Sequence, residues 1–199
     1  MAAPQSKRTR PNIVVTGTPG TGKTTHCEAV VASVGGQAAG LRHVSINELV
    51  RDRDCHDGWD AEYQSWLVDE DRLLDALEAD DVPHGRGAGV LLDWHACDLF
   101  PTGWIDLVVV LTADTTSLYD RLAERKYPEK KMQENIDAEI MQVLLQEAHE
   151  AFPPEMVVTL QSNTVEDMES NVDRIVAWAQ QWYKDNDLPL PSSKSEQKA

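Results

Sequence analysis

The segment Gly17-Thr18-Pro19-Gly20-Thr21-Gly22-Lys23-Thr24 satisfies G-x-x-x-x-G-K-[ST], a pattern whose chemistry is polyphosphate binding. Its glycines let the loop turn backbone N–H groups inward on phosphate oxygens, and the helix that follows adds its positive N-terminal end. Gly20 and Gly22 are therefore expected against phosphate, Lys23 at the β and γ phosphates, the Thr24 hydroxyl on Mg²⁺ and Thr25 at the α phosphate. A chance glycine-rich turn would share the letters. Here the motif leaves a Val14-Val15 strand and opens a helical stretch, which is the context the chemistry requires.

Two further groups belong to the same chemistry. Asp93 ends the run Val90-Leu91-Leu92-Asp93 and is expected to bring a second carboxylate to the metal, rather than serving only as a turn former. His95, two residues on, is expected in the same cleft, where it could orient or deprotonate a water or a phosphoryl acceptor; the plainer reading is a satisfied hydrogen-bonding residue. A zinc role for His95 with Cys97 lacks two further ligands.

The kind of phosphate chemistry is narrowed by what else is present. D-x-x-G and N-K-x-D occur nowhere, which disfavours a switch-type GTPase, and a motor or AAA-type ATPase is expected to need more than 199 residues. Small P-loop kinases need two arginine-bearing segments, one gripping the acceptor phosphate and one closing over the transferring group. Arg51 falls in the first. Arg121 and Arg125, followed by Lys126, fall in the second, and their four-residue spacing predicts one helix face converging on the transferring phosphoryl.

Positioning these groups requires a layered scaffold. Short apolar runs at 13–16, 43–45 (weak), 90–93, 107–111 and 156–160 alternate with helical patterns. Unbroken apolar runs suit strands covered on both faces, so the expected fold is a doubly wound α/β sheet of five parallel strands with flanking helices and right-handed crossovers. Ser45 with Glu48 and Asn163 with Glu166 are read as capping boxes, for helices reaching Asp52 and about Tyr183. Asp114 is read as the cap of a helix carrying Leu118, Tyr119 and Leu122, and 132–151 as the longest helix. Residues 1–10 and 186–199 are read as disordered tails around one domain, 11–185.

Composition adds exclusions. With 18 Lys and Arg against 34 Asp and Glu the net charge is −16, which opposes general duplex nucleic-acid binding. Three dispersed cysteines support neither a disulfide framework nor zinc, and no apolar stretch has signal-peptide or membrane-spanning length, so a reducing intracellular setting without a membrane is expected. Residues 48–81 hold 13 acids and 3 bases and so carry −10 of the −16, whereas 119–131 hold five bases and three acids. An acidic face for a basic partner beside a locally positive, anion-binding segment is the expected arrangement. Trp59, Trp66, Trp104, Trp178 and Trp182 are read as packing residues.

The segments GTPGTGKTT, INELVRDR, DWHACDLFP, LYDRLAERKYPEKK and NVDRIVAW together resemble the adenylate kinase isoenzyme 6 family, also described as coilin-interacting nuclear ATPase protein, over about residues 11–185. The resemblance implies a P-loop nucleoside monophosphate kinase-like fold with a monophosphate-binding insert at about 45–68 and a short lid at about 124–134. It implies phosphoryl transfer from ATP with Mg²⁺ to AMP, together with ATPase activity. By position it places Gly20, Gly22, Lys23, Thr24, Thr25 and Arg125 on ATP, Arg51 on the acceptor, and Asp93 and His95 as the Walker B pair. It further implies a place in nucleus and cytoplasm, engaging a basic small-subunit ribosomal protein on the pre-40S particle during 18S rRNA 3′-end processing; a monomer is expected, though the sequence leaves the oligomeric state open. Standard adenylate kinases carry D-G-F-P-R where this chain has Asp93-Trp94-His95-Ala96-Cys97, and the missing arginine leaves more room for water as acceptor.

Overall fold

The apolar runs become strands, and those with no polar interruption lie deepest. In the computed structural model, which describes residues 8–80, 82–83 and 88–191, the strands are β1 (Ile13–Thr16), β2 (Arg42–Ser45), β3 (His56–Asp60), β4 (Ser65–Val68), β5 (Val90–Asp93), β6 (Leu107–Thr112) and β7 (Val157–Gln161). Five of them form one sheet in the order β2-β5-β1-β6-β7, with every pair parallel. β1 and β5 are buried at every residue and β6 at all but its last, whereas β2 and β7, at the edges, are only partly covered.

Side chains alternate across the sheet, as strand geometry demands. Val14, Val90, Leu92, Val108 and Val110 face one core, closed by helices α3 (Ile46–Asp52), α4 (Glu70–Ala79) and α7 (Val143–Ala151). Ile13, Val15, Leu91, Val109 and Leu111 face the other, closed by α1 (Lys23–Ala32) and α8 (Val165–Asp185), with the short α2 (Val34–Ala38) beside them. Leu118 and Leu122 of α5 (Thr115–Glu124) meet Ile136 of α6 (Glu129–Ile140) in a third, smaller cluster. The phosphate motif and Asp93 thus sit at the C-terminal ends of adjacent central strands, the crevice where open α/β sheets hold ligands.

Three local expectations are corrected. The helix expected over 132–151 is two: Gln142 takes a left-handed backbone (φ 53°) between α6 and α7, so the apolar spacing continues through a break. The longest helix is instead α8, 21 residues. Its capping box is Thr164 with Asp167, one residue beyond the expected pair; Asp167 also accepts from the Asn163 N–H, so Asn163 contributes its backbone rather than its side chain. Ser45 and Asp114 cap α3 and α5 as their residue types suggest, accepting from Glu48 N–H and Ser117 N–H.

The antiparallel β3–β4 pair was not legible in the sequence, because its polar residues break any apolar run. Together with α3 it fills the stretch expected as the monophosphate-binding insert. Most of both expected tails lies outside the described residues. At the described N-terminal end Arg8 donates to Gly103 O (2.6 Å) and Asp106 Oδ1 (2.9 Å), so the chain is held from residue 8 rather than 11. No described helix is long and apolar enough to cross a membrane.

Candidate active site

The loop after β1 owes its path to its glycines. Gly17 and Gly20 have φ of 137° and 101°; a Cβ at Gly17 would lie 2.3 Å from Leu111 O on β6, and one at Gly20 would lie 2.8 Å from Leu118 Cδ1. Thr21 closes the turn on Thr18 O through both its N–H (3.1 Å) and its hydroxyl (2.9 Å). α1 then opens at Lys23 behind Gly22, with no side chain capping its first amides, which leaves those donors for a ligand.

Lys23 Nζ rests on Gly17 O (2.8 Å) and Thr18 O (3.3 Å), bridging the loop it rises from. Burial lowers its pKa to about 8, against the opposing pull of Asp93. Thr24 Oγ1 donates to Asp93 Oδ2 at 2.5 Å, and His43 Nε2 on β2 lies 3.4 Å from the same oxygen. Burial alone would raise the Asp93 pKa; His43, the Thr24 hydroxyl and the Lys23 charge outweigh it and hold the carboxyl below its ordinary range. Asp93 is therefore an anion with one oxygen shared by a hydroxyl at the end of the sheet, a hard-oxygen pair that suits Mg²⁺. No three His, Cys, Asp or Glu gather among the described residues to hold an ion unaided, so a cation here would draw its remaining ligands from phosphate oxygens and water.

These groups form one wall of a cleft of about 640 Å³. His95 faces into it beside the Trp94 ring (centroids 4.2 Å apart), while Thr16 Oγ1 bonds its carbonyl at 3.0 Å. Burial, with Lys23 and Lys131, lowers the imidazole to about 4, so it is neutral at physiological pH. Arg125, just after α5, lines the cleft with Lys131 of α6, and Arg51, its Nε on Asp52 Oδ1 (2.8 Å), lines it from α3.

Of the ten residues singled out from the sequence, the structure brings nine to this cleft: Gly20, Gly22, Lys23, Thr24, Thr25, Arg51, Asp93, His95 and Arg125. It does not bring Arg121. That guanidinium turns away to Ser162 O (2.8 Å), Asn163 O (2.9 Å) and, more weakly, Gly20 O (3.4 Å), so the expected convergence with Arg125 is not made and Arg121 instead ties α5 to the β7–α8 junction. Helical spacing identifies a shared face but not which acceptor a long side chain takes.

Two supports were missed because each joins residues far apart in sequence. Glu139 of α6 accepts from Thr18 Oγ1 (2.5 Å) and from Ala113 N–H (2.7 Å), clasping the phosphate loop to the end of β6. Buried His26 meets Gly22 O through Nδ1 (2.9 Å) and Asn171 of α8 through Nε2 (3.3 Å), which fixes Nδ1 as the protonated nitrogen. The aromatic residues Trp59, Tyr63 and Trp66 also line the cleft, from the β3–β4 hairpin.

A family model described as an AAA domain matches residues 13–142. The matched stretch is shorter than the chain, so length does not separate the chain from that group as the sequence reading expected. An adenylate kinase isoenzyme 6 homolog from Saccharomyces cerevisiae, FAP7, is 47% identical over 178 residues, spanning 89% of this chain and 86% of that protein. The Candida albicans homolog, HBR1, is 46% identical over 181 residues, spanning 88% of this chain and 71% of that protein. Among solved structures, a gluconokinase from Sinorhizobium meliloti 1021 superposes with a TM-score of 0.50 at 19% identity, covering 90% of this chain and 99% of its own, a likeness of fold.

Proposed function

Because the chain belongs to the adenylate kinase isoenzyme 6 family, a family of nucleotide-binding P-loop kinases, we propose that it transfers the γ phosphoryl of ATP to AMP and, in the absence of an acceptor, to water. The observation that carries this reading is that one cleft is lined both by the phosphate loop and by Arg51 of α3. A pure hydrolase needs only the first.

In this reading the amides of the loop and of α1's first turn receive the donor phosphates, and Lys23 exchanges two carbonyl partners for phosphate oxygens. Thr24 and Asp93 are the residues that would hold Mg²⁺, which when bound would neutralise charge on the donor phosphates. Arg125 sits where charge develops on the transferring group, and Arg51 fixes the acceptor phosphate in line with it. Glu139 holds the loop to α6, so the position of the lid side and the shape of the phosphate cradle are set together.

A second acceptor is favoured by one specific observation. His95 presents a neutral imidazole to the cleft in the block where other adenylate kinases have an arginine, and a neutral imidazole can accept a proton from, or orient, a water. We extend the proposal to a cellular role as an ATPase in small-subunit maturation, in nucleus and cytoplasm, engaging a basic ribosomal protein on the pre-40S particle. Support comes from the acidic segment 48–81: Asp54, Glu70, Asp71, Asp75 and Glu78 are all exposed there.

A coupled assay of ADP production with ATP alone and with ATP plus AMP tests the enzymatic half. The expected result is an AMP-dependent rate above the ATP-only rate; equal rates would sink the kinase reading and leave the hydrolase.

A further inference from the structure

His43 is one of the polar residues that weaken the apolar run of β2, and the sheet puts it to a particular place. In the parallel register Arg42, His43, Val44 and Ser45 lie beside Val90, Leu91, Leu92 and Asp93. Side chains alternate between faces along a strand, so His43 shares a face with its neighbour Leu91 and with Asp93, two residues further along β5. That is the face closed by α1, the helix that carries Thr24.

The imidazole is mostly buried there, and its Nε2 is shut off from solvent with no hydrogen bond among the described residues. Asp93 Oδ2 lies 3.4 Å from that nitrogen, a little beyond the length of a formed N–H···O bond. A buried ring nitrogen left unpaired carries a desolvation penalty, so its retention at this spot points to a use. A small turn of the Asp93 carboxylate closes the gap.

Oδ2 is also the oxygen that accepts from Thr24 Oγ1. A carboxylate approached at one oxygen both from a helix and from a neighbouring strand has its plane fixed, and its second oxygen, Oδ1, is then aimed in one direction. We propose that His43 is a positioning residue for the cation site: its Nε2–H holds Asp93 Oδ2 and so sets how the Thr24–Asp93 pair is presented to the metal of the donor nucleotide. His43 is not among the residues lining the cleft, so it acts through Asp93 rather than on the nucleotide. This rests on the reading that Thr24 and Asp93 hold Mg²⁺, and it holds whether AMP or water receives the phosphoryl.

The test is calorimetric titration of the full chain with the β,γ-imido analogue of ATP, which is not hydrolysed, once with Mg²⁺ and once with EDTA. The ratio of the two affinities reads what the metal contributes. His43→Phe fills the site without a donor and should lower that ratio about tenfold, the scale on which partners of metal-holding groups act, while affinity in EDTA stays within about twofold. His43→Gln, whose amide nitrogen reaches the place of Nε2, should restore the ratio to within about threefold. A merely structural role would move both affinities together. An unchanged ratio in His43→Phe, or a loss equal with and without metal, overturns the positioning role. Should His43→Phe not fold, His43→Asn, whose amide stops short of Asp93, should show the same loss, and an unchanged ratio there is equally fatal. Asp93→Asn separates the two readings. If it abolishes the metal-dependent gain while His43→Phe keeps it, His43 alone is misassigned; if Asp93→Asn keeps the gain, the Thr24–Asp93 reading fails and the role of His43 falls with it.

Discussion

The two walls of the cleft are built by different means. The phosphate-loop wall is backbone-rich, seated on strands buried on both faces, and locked by short internal bonds: Thr24 to Asp93, Thr18 to Glu139, His26 to Gly22. The hairpin wall is a short antiparallel pair outside the main sheet, carrying partly exposed aromatics and held to α6 by solvent-facing lysines. On the proposed function the difference matches two tasks. A wall that receives polyphosphate must have its donors arranged before the charge arrives, because reorganising them during transfer would cost the stabilisation they supply; a wall that admits and releases an acceptor needs shallow contacts that break on the timescale of turnover.

The largest test of that contrast is Lys23→Met. The hydrogen bonds that Lys23 donates go to two loop carbonyls, so the variant should keep the unfolding midpoint of the unmodified chain to within a few degrees. Turnover of ATP, with or without AMP, should fall by at least about 10²-fold, the scale set by removing one preorganised charge-stabilising donor. Steady-state kinetics beside thermal denaturation checks both halves; retained turnover would mean that the phosphate wall is not where transfer occurs.

The same contrast explains which parts could be read from the sequence. The phosphate wall is encoded locally: four glycine, lysine and threonine positions in one loop and a carboxylate closing an apolar run each announce their own conformation. Unlike the partly covered edge strand β2, where Arg42, His43 and Ser45 leave only a weak run, the three central strands were legible for the same reason, since burial on both faces leaves no polar interruption. The hairpin was not, because only one side of it meets the core and its sequence, HDGWDAEYQSWLV, mixes turn formers with isolated aromatics. Arg121 shows a second limit. Its helix and face were foreseeable, but its choice of the Ser162 and Asn163 carbonyls depends on a junction 41 and 42 residues away. Glu139 was hidden likewise, its partners Thr18 and Ala113 lying 121 and 26 residues off.

A smaller effect tests how far the rigidity behind the phosphate wall depends on buried polar bonds. Tyr183 of α8 is almost fully buried and its hydroxyl donates to Ala39 O at 2.8 Å. Tyr183→Phe removes that bond, leaves the carbonyl without it, and should cost about 1 kcal/mol of stability at neutral pH. Burial raises the phenol to about 12 in the folded chain, above the ~10 of an unfolded tyrosine. The folded state therefore keeps its proton where the unfolded state loses it. This contribution is complete below pH ~10 and is lost as pH rises through about 12. Denaturant titrations from neutral to alkaline pH should show a shallower alkaline decline in Tyr183→Phe than in the unmodified chain; parallel declines would place the alkaline sensitivity elsewhere.

The smallest expected effect lies at the mouth, where Lys130 meets Glu62 at 2.9 Å with both side chains largely in solvent. The hydrogen bonds that it donates to Glu62 and Tyr63 hold the Lys130 ammonium above its ordinary range, yet an exposed pair is screened by salt and loses side-chain entropy on forming. Lys130→Gln and Glu62→Gln should therefore leave the unfolding midpoint where it is. What the pair can influence is how long the hairpin stays against α6, so the acceptor's KM should rise about twofold in either variant and no further in the double variant. That coupling should vanish at about 0.5 M salt. Additive effects of the two substitutions, or a loss indifferent to salt, would mean that the acceptor wall is held by its aromatic packing and the Lys131–Tyr63 bond alone.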